Sequence, residues 1–290
     1  MINIDRKELR VAVDALPAYP GKSGAVGLFR NLLQIAPEVD DSVDLTFFVS
    51  PSQHAYYARY LDSRFSDRIR FQTVNFSESS RLGRLVAQNL LVPRACQQLG
   101  LNAHFSLNPE PLFDMPGMVE VFKVADLQFI EVPQEFGIWK TCYRNYMGKR
   151  KVSRSELIIA NSQYTQQRII DSYNIEADRV QVVYEGVDHQ IYFPEIDRSI
   201  PSAKIAEKYG VVYPFIIYQS SFRPYKNHLA LLKAFQMLIT KYNVPHHLLL
   251  VGININNYRQ IIEHAINEGN LNSRIHCLDF VSDEDLRYFL

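Results

Sequence analysis

The stretch LIIANSQYTQQRIIDSYNIEADRVQVVY, residues 157–184, decides the fold class. It opens on Leu157–Ala160, an apolar β-branched run short enough to read as a buried strand. Ser162 then offers a side-chain cap for a helix over 163–173, although Thr165 is not the Glu or Gln of a full capping box. A second β-branched run, Val180–Tyr184, closes the stretch. Strand, helix and strand in so few residues make a βαβ unit, and such units build parallel sheets.

The same alternation runs outward in both directions. Upstream, strands are expected at Leu9–Ala15, Leu45–Ser50, Ile69–Val74, Ala103–Leu107 and Val119–Val124, with helices near 25–36, 52–61, 79–98 and 135–152. Downstream, Glu185–Tyr213 loosens into prolines, glycines and mixed charge, the texture of a linker. A new alternation follows: strand Phe215–Tyr218, helix Asn227–Tyr242, strand His247–Val251, helix Asn257–Glu268 and strand Arg274–Cys277. Leu231, Phe235, Leu238 and Tyr242 fall on one helix face, a core stripe. The reading is α/β with two Rossmann-like domains: 1–190, a linker over 191–213, and 214–290. The second has three strand candidates where a doubly wound domain usually has five or six. Ser282 reads as a cap and Asp283, Glu284 and Asp285 as the first turn of a helix, yet the chain stops at Leu290. A truncated second domain is therefore expected, with a naturally minimal domain as the alternative.

Composition narrows the function classes. The 290 residues carry 31 basic and 31 acidic side chains, so no overall field favours nucleic acid. Cys96, Cys142 and Cys277 are too far apart for a metal-binding pair or a disulfide framework. No apolar run reaches the length of a membrane span, and Met1–Arg10 is too polar for the core of a signal peptide. A cytoplasmic protein is expected, with the cytoplasmic face of a membrane within its reach.

The most informative chemistry lies in FIIYQSSFRPYKNH, residues 215–228. A loop at the carboxyl end of a parallel strand, leading into a helix N-terminus, is where open α/β sheets bind ligands. Free amides and the helix dipole favour an anion there, and Arg223 and Lys226 add two positive charges. Asn227 is the expected helix cap. A diphosphate fits; two solvated side chains on an ordinary loop are the alternative. Glu185-Gly-Val-Asp188 follows a strand, and Gly186 allows a tight turn, facing a cleft or simply leaving the sheet.

Taken together, residues 160–195, the segment RPYKNHLALLKAFQML (223–238), LLLVG, and RIHCLDFVSDEDLRYFL resemble the retaining GT-B-fold glycosyltransferases of the family 4, or "group 1", type. SGAVGLFRNLL (23–33) and VADLQFIEVPQEF (124–136) extend the resemblance more loosely into the N-terminal half. The resemblance implies an acceptor-side first domain and a nucleotide-sugar-binding second domain. It implies transfer of a hexose, with mannose from GDP-mannose a reasonable guess, to a glycan or glycolipid acceptor. Lys226 matches the lysine that neutralises the donor diphosphate, with Arg223 assisting. The loop with Gly24 and Gly27 is similar to the one that approaches the donor phosphates. No metal or other cofactor is implied.

Two departures stand out. The family's His-Asp-Leu is here Ala125-Asp126-Leu127, and alanine can neither donate a proton nor make a hydrogen bond. The acidic Glu-Gly-Phe-Gly motif, which should follow residues 281–290, is not present. With the catalytic residue unknown and half a donor pocket missing, the expectation is that this chain shows no transfer alone. A non-catalytic remnant or binding module of the same fold is the alternative.

Other signals are weaker. Asp283-Glu-Asp285 spells an acidic triplet, but its place suits capping. His246 and His247 open a strand and point to opposite faces, so they cannot chelate together. Gly21, Gly24 and Gly27 lack dinucleotide spacing. Lys140, Arg144, Lys149, Arg150, Lys151 and Arg154, interleaved with Trp139, Tyr143 and Tyr146, read either as a solvated helix face or as a contact with anionic lipid through 139–154.

Overall fold

A computed structural model describes residues 9–19, 25–39, 42–109, 115–189, 191–193, 206–211 and 213–289. The chain forms two compact units, Met1–Gly186 and Val187–Leu290.

The first unit is built on a seven-stranded sheet, β1 (Leu9–Asp14), β2 (Val43–Val49), β3 (Ile69–Thr73), β4 (Ala103–Ser106), β5 (Val119–Val124), β6 (Leu157–Ala160) and β7 (Val180–Val182), in the order β3-β2-β1-β4-β5-β6-β7. All neighbouring strands are parallel. The order reverses between β1 and β4, so the carboxyl ends of those strands flank the point where such sheets open for ligands. Helices α1 (Ala25–Val39) and α2 (Pro51–Tyr57) cover one face, packing Phe29, Leu33 and Tyr57 against Val13 and Phe47. The opposite face carries α3 (Arg81–Val86) and α4 (Val92–Gln98), joined by a π-turn over Ala87–Leu91. The short α5 (Gln128–Glu131), α6 (Ile138–Arg154) and α7 (Gln163–Tyr173) follow. Val152 and Ile169 of the last two pack on Phe122, Val124 and Ile158. Burying each such aliphatic side chain contributes roughly 1.5–3 kcal/mol against leaving it in water.

Helix ends follow local chemistry. Ser50 and Gln53 form a reciprocal capping box on α2. Ser162 Oγ accepts from the Thr165 amide and caps α7, and Asn174 ends it in the left-handed region. The π-turn precedes Pro93, whose ring cannot donate to a carbonyl four residues back. The Val92 amide instead reaches Ala87 O, five residues back, and Asn89 Nδ2 donates to Leu85 O at 2.7 Å.

The second unit holds a parallel three-stranded sheet, β10-β9-β8, made of β8 (Phe215–Gln219), β9 (His247–Val251) and β10 (Ile275–Leu278). On one face α8 (His228–Tyr242) and α9 (Tyr258–Glu268) bury Leu232, Phe235, Ile262 and Ile266 against Leu248 and Leu250. On the other, Leu249 and Val251 meet Val211, Val281, Leu286 and Phe289. Ser282 caps the short α10 (Asp283–Leu286), with Asp283 and Asp285 in that turn. Asp285 also accepts from Lys208 Nζ and Tyr209 Oη, and these bonds hold its carboxyl below the usual carboxylate range.

Every expected strand is present, with ends shifted by a residue or two. Most of the expected linker, and Gly21 and Gly24, lie outside the described residues.

Candidate functional site

The site grows from the carboxyl end of β8. Beyond Gln219 the chain stays pinned to its neighbour: the Ser220 amide donates to Val251 O at 2.8 Å and the Phe222 amide to Ile253 O at 3.0 Å. This close approach requires a glycine at 252. A Cβ built there would lie 2.1 Å from the Ser220 carbonyl oxygen, well inside any tolerable contact. Phe222 is fully buried and stacks on His228, with ring centroids 5.0 Å apart. Pro224–Lys226 then forms one 3-10 turn, and α8 begins at His228.

The turn places both expected cations on one aromatic side chain. The Arg223 guanidinium lies 5.9 Å and Lys226 Nζ 5.4 Å from the centroid of the Tyr225 ring. Tyr218 Oη donates to Lys226 O at 2.9 Å, tying the turn to β8. The Lys226 and Asn227 amides donate within the turn, to Arg223 O at 3.1 Å and Pro224 O at 2.9 Å, and the Leu231 amide donates to Asn227 O at 3.3 Å, so it is the first amides of α8 itself that lack an intrahelical partner. His228 is fully buried. Burial lowers its pKa, the Arg223 main chain opposes this, and the Lys226 charge lowers it further. Two cations, free amides and a helix dipole make an anion-binding end.

Asn227 requires a correction. It occupies the cap position, but its side chain makes no capping bond; its backbone is left-handed, φ 55°. Asparagine serves here because it tolerates that conformation. Arg223 stands directly before the 3-10 turn.

In the first unit the expected residues separate. Gly27 lies inside α1, not in a loop, because the apolar pattern of 25–39 carries the helix across it. Nothing lies within 4 Å of where its Cβ would be. Ala125 and Asp126 are exposed just past β5. Asp126 Oδ1 accepts from the Gln128 amide at 3.2 Å, a local turn bond before α5. Glu185 is engaged by Lys123, a residue the sequence reading passed over. Lys123 is buried on β5 with 7% of its side chain exposed, whereas Glu185 is half exposed, so the lysine fixes a carboxylate that still meets solvent. Gly186 is exposed in a segment without regular structure and takes no positive φ, so the glycine-specific turn expected there is not formed.

The basic stretch is also divided. Lys151 is buried and paired with Glu120, and Arg154 approaches the same carboxylate at 3.7 Å. Lys140, Arg144, Lys149 and Arg150 remain exposed. His247 does not act with His246: its Nδ1 lies 3.0 Å from His276 Nε2 across β9 and β10. Among the described residues no three His, Cys, Asp or Glu side chains converge as a metal site requires.

The chain has likenesses among known proteins. Residues 132–191 match the profile described as Glycosyltransferase Family 4. No curated protein matches the chain. HepE of Anabaena, solved with UDP-glucose, shares 19% identity at a TM-score of 0.66, covering 96% of this chain and 71% of HepE. A glycosyltransferase from Rickettsia africae shares 16% at 0.64, covering 96% and 70%. WaaG, a glycosyltransferase involved in lipopolysaccharide biosynthesis, shares 13% at 0.64, covering 96% and 72%. The parallel sheets and the solved neighbours show a chain of GT-B glycosyltransferase fold, in which residues 132–191 are similar to Glycosyltransferase Family 4.

Proposed function

We propose that this chain transfers a hexose from a nucleotide-sugar to a glycan or lipid-linked acceptor, with retention at the anomeric carbon. The observation that carries the reading is the β8–α8 turn, where Arg223 and Lys226 flank one ring at a helix N-terminus. In a transfer reaction the bond from the anomeric carbon to the donor's diphosphate breaks as the acceptor oxygen bonds that carbon. Negative charge grows on the leaving diphosphate, and Lys226, Arg223 and the α8 amides stabilise it most where it is greatest. HepE, of the same fold, has been solved with UDP and with UDP-glucose, which supports a nucleotide-sugar as donor. Membrane contact through 139–154 belongs to the same reading, as does the absence of a resident metal.

Lys226→Ala is expected to lower transfer by about two orders of magnitude, on the scale of one lost transition-state donor. It should weaken nucleoside-diphosphate binding measured by titration calorimetry, while Lys226→Arg keeps part of both. Nucleotide affinity unchanged in a folded Lys226→Ala chain would remove this turn from the site.

A second reading is favoured by Ala125, which stands exposed just past β5 with no group able to serve the reacting sugar. On that reading the chain binds a nucleotide-sugar without transferring it. Assay against a panel of nucleotide-sugars and acceptors separates the two: turnover supports the first, saturable binding without turnover the second.

A further inference from the structure

The amino ends of β1, β2 and β3 frame a cavity of about 180 Å³, at the opposite end of these strands from the carboxyl edge of the sheet. Strand register builds its floor. Arg10 pairs with Asp44, and Thr46 pairs with both Ala12 and Arg70. Because side chains alternate along a strand, Arg10, Asp44, Thr46 and Arg70 all project to one face. Ala12 and Thr46 are short and buried, which leaves a hollow among the longer side chains. The turn that ends α4 forms a wall. There the Gly100 amide donates to Gln97 O at 3.2 Å and the Leu101 amide to Cys96 O at 2.9 Å. Gly100 holds φ at 62°, and a Cβ built on it would lie 3.3 Å from Arg10 Nη1. The Arg10 guanidinium therefore rests against bare main chain.

The charges of this cavity are not spent on one another. Among the described residues Arg10, Arg70 and Asp44 make no ion pair. Arg70 Nη2 reaches the Asp67 carbonyl at 3.5 Å, which orients the guanidinium without neutralising it. Arg68 also lines the cavity but is engaged elsewhere, donating to Val43 O at 3.3 Å. A guanidinium presents its donors as a planar fork that fits two phosphate oxygens, so two forks on one hollow suit a tetrahedral anion. Asp44, on the middle strand of the three, repels an anion and accepts from hydroxyl groups instead. One acid between two bases thus selects an anion that carries hydroxyls on a short stem. Size sets the other limit. Roughly 150 Å³ holds one benzene ring, whereas sites for drug-sized ligands begin at about 300 Å³. The cavity admits one small molecule and not a nucleotide.

We propose that this cavity binds a small hydroxylated phosphate ester, its phosphate on Arg10 and Arg70 and a hydroxyl on Asp44. Every lining residue belongs to the first unit. The site shares no residue with the β8–α8 turn and owes nothing to the transfer reading.

Glycerol 3-phosphate is the probe, titrated into the full chain by calorimetry, with orthophosphate and glycerol as its two halves. The expected result is saturable binding, about tenfold tighter than that of orthophosphate, on the scale of one hydrogen bond to a charged group. Arg10→Gln and Arg70→Gln should each weaken it by about tenfold, for the same reason. Both side chains are exposed, so neither change disturbs the core, and an unchanged circular dichroism spectrum checks this. Asp44→Asn should bring the ester and orthophosphate close to equal affinity. Lys226→Ala, which removes a cation of the other candidate site, should leave glycerol 3-phosphate affinity as it is. Absence of saturable binding would overturn the proposal. So would equal affinity of the parent chain for orthophosphate, unchanged affinity in both arginine variants, or loss of binding in Lys226→Ala.

Discussion

At the scale of single residues, the constraint on the candidate site sits where no charge is found. Gly252 lets the chain after β8 lie backbone to backbone against the chain after β9, and that contact aims Arg223 and Lys226. Gly252→Ala is expected to cost roughly 1–3 kcal/mol or more, as overpacking does, because main chain rather than a mobile side chain must yield. A urea titration checks the loss, and nucleotide affinity should fall with it. A stability equal to the parent's would show that the two loops separate freely. The cations themselves were readable in sequence, since a strand, a polar loop and a helical pattern point to a ligand end. Gly252 and Lys123 were not. Lys123 and Glu185 are 62 positions apart, and only the β5–β6–β7 pairing brings them together. Asn227 was placed correctly but given the wrong task, because cap chemistry and left-handed tolerance draw on the same residue type.

At the scale of elements, buried strands were legible because a parallel sheet covered on both faces needs uninterrupted apolar runs. Polar residues inside such runs are the informative exceptions. His104 on β4 is fully buried, and among the described residues neither ring nitrogen has a hydrogen-bond partner. Burial holds its pKa well below that of a free imidazole, and Lys151 and Arg154 of α6 lower it further. Glu120 faces it from β5 and is occupied by Lys151. The unfolded chain takes up a proton on this residue below about pH 6.5, while the folded chain does not. Stability should therefore be constant in this respect above pH 6.5 and decline below it, approaching ~1.4 kcal/mol per pH unit from this one group. His104→Leu should flatten that part of the profile in urea titrations at pH 7, 6 and 5. An unchanged slope would mean that His104 is protonated in the folded chain. Across β9 and β10, His247 and His276 face each other nitrogen to nitrogen, and both are held below the usual imidazole range, first by burial. Such a bond needs one donor and one acceptor, so the pair cannot carry a proton on both facing nitrogens.

At the scale of the whole molecule, the first unit closes its cores with its own residues. Its three apolar clusters draw on both faces of the seven-stranded sheet. A chain of residues 1–189 expressed alone is expected to unfold in one cooperative urea transition, followed by circular dichroism. A broad, noncooperative loss of signal would show that the sheet depends on residues beyond it. In sequence the strand–helix alternation is broken by loose composition over Glu185–Tyr213, and the structure divides the chain at Gly186.

The π-turn over Ala87–Leu91 has a consequence for the length of the chain itself. A π-turn spends one residue more than the α-helix needs to cover the same rise. The segment between β3 and β4 therefore carries slack of one residue, stored at Asn89 and held by its bond to Leu85 O. Deleting Asn89 should draw the turn into regular helix and leave both neighbouring strands in place, whereas deleting Ile169 within α7 would rotate a buried face out of the core. Two single-residue deletions in one protein would thus have opposite fates, read out as soluble yield and melting temperature.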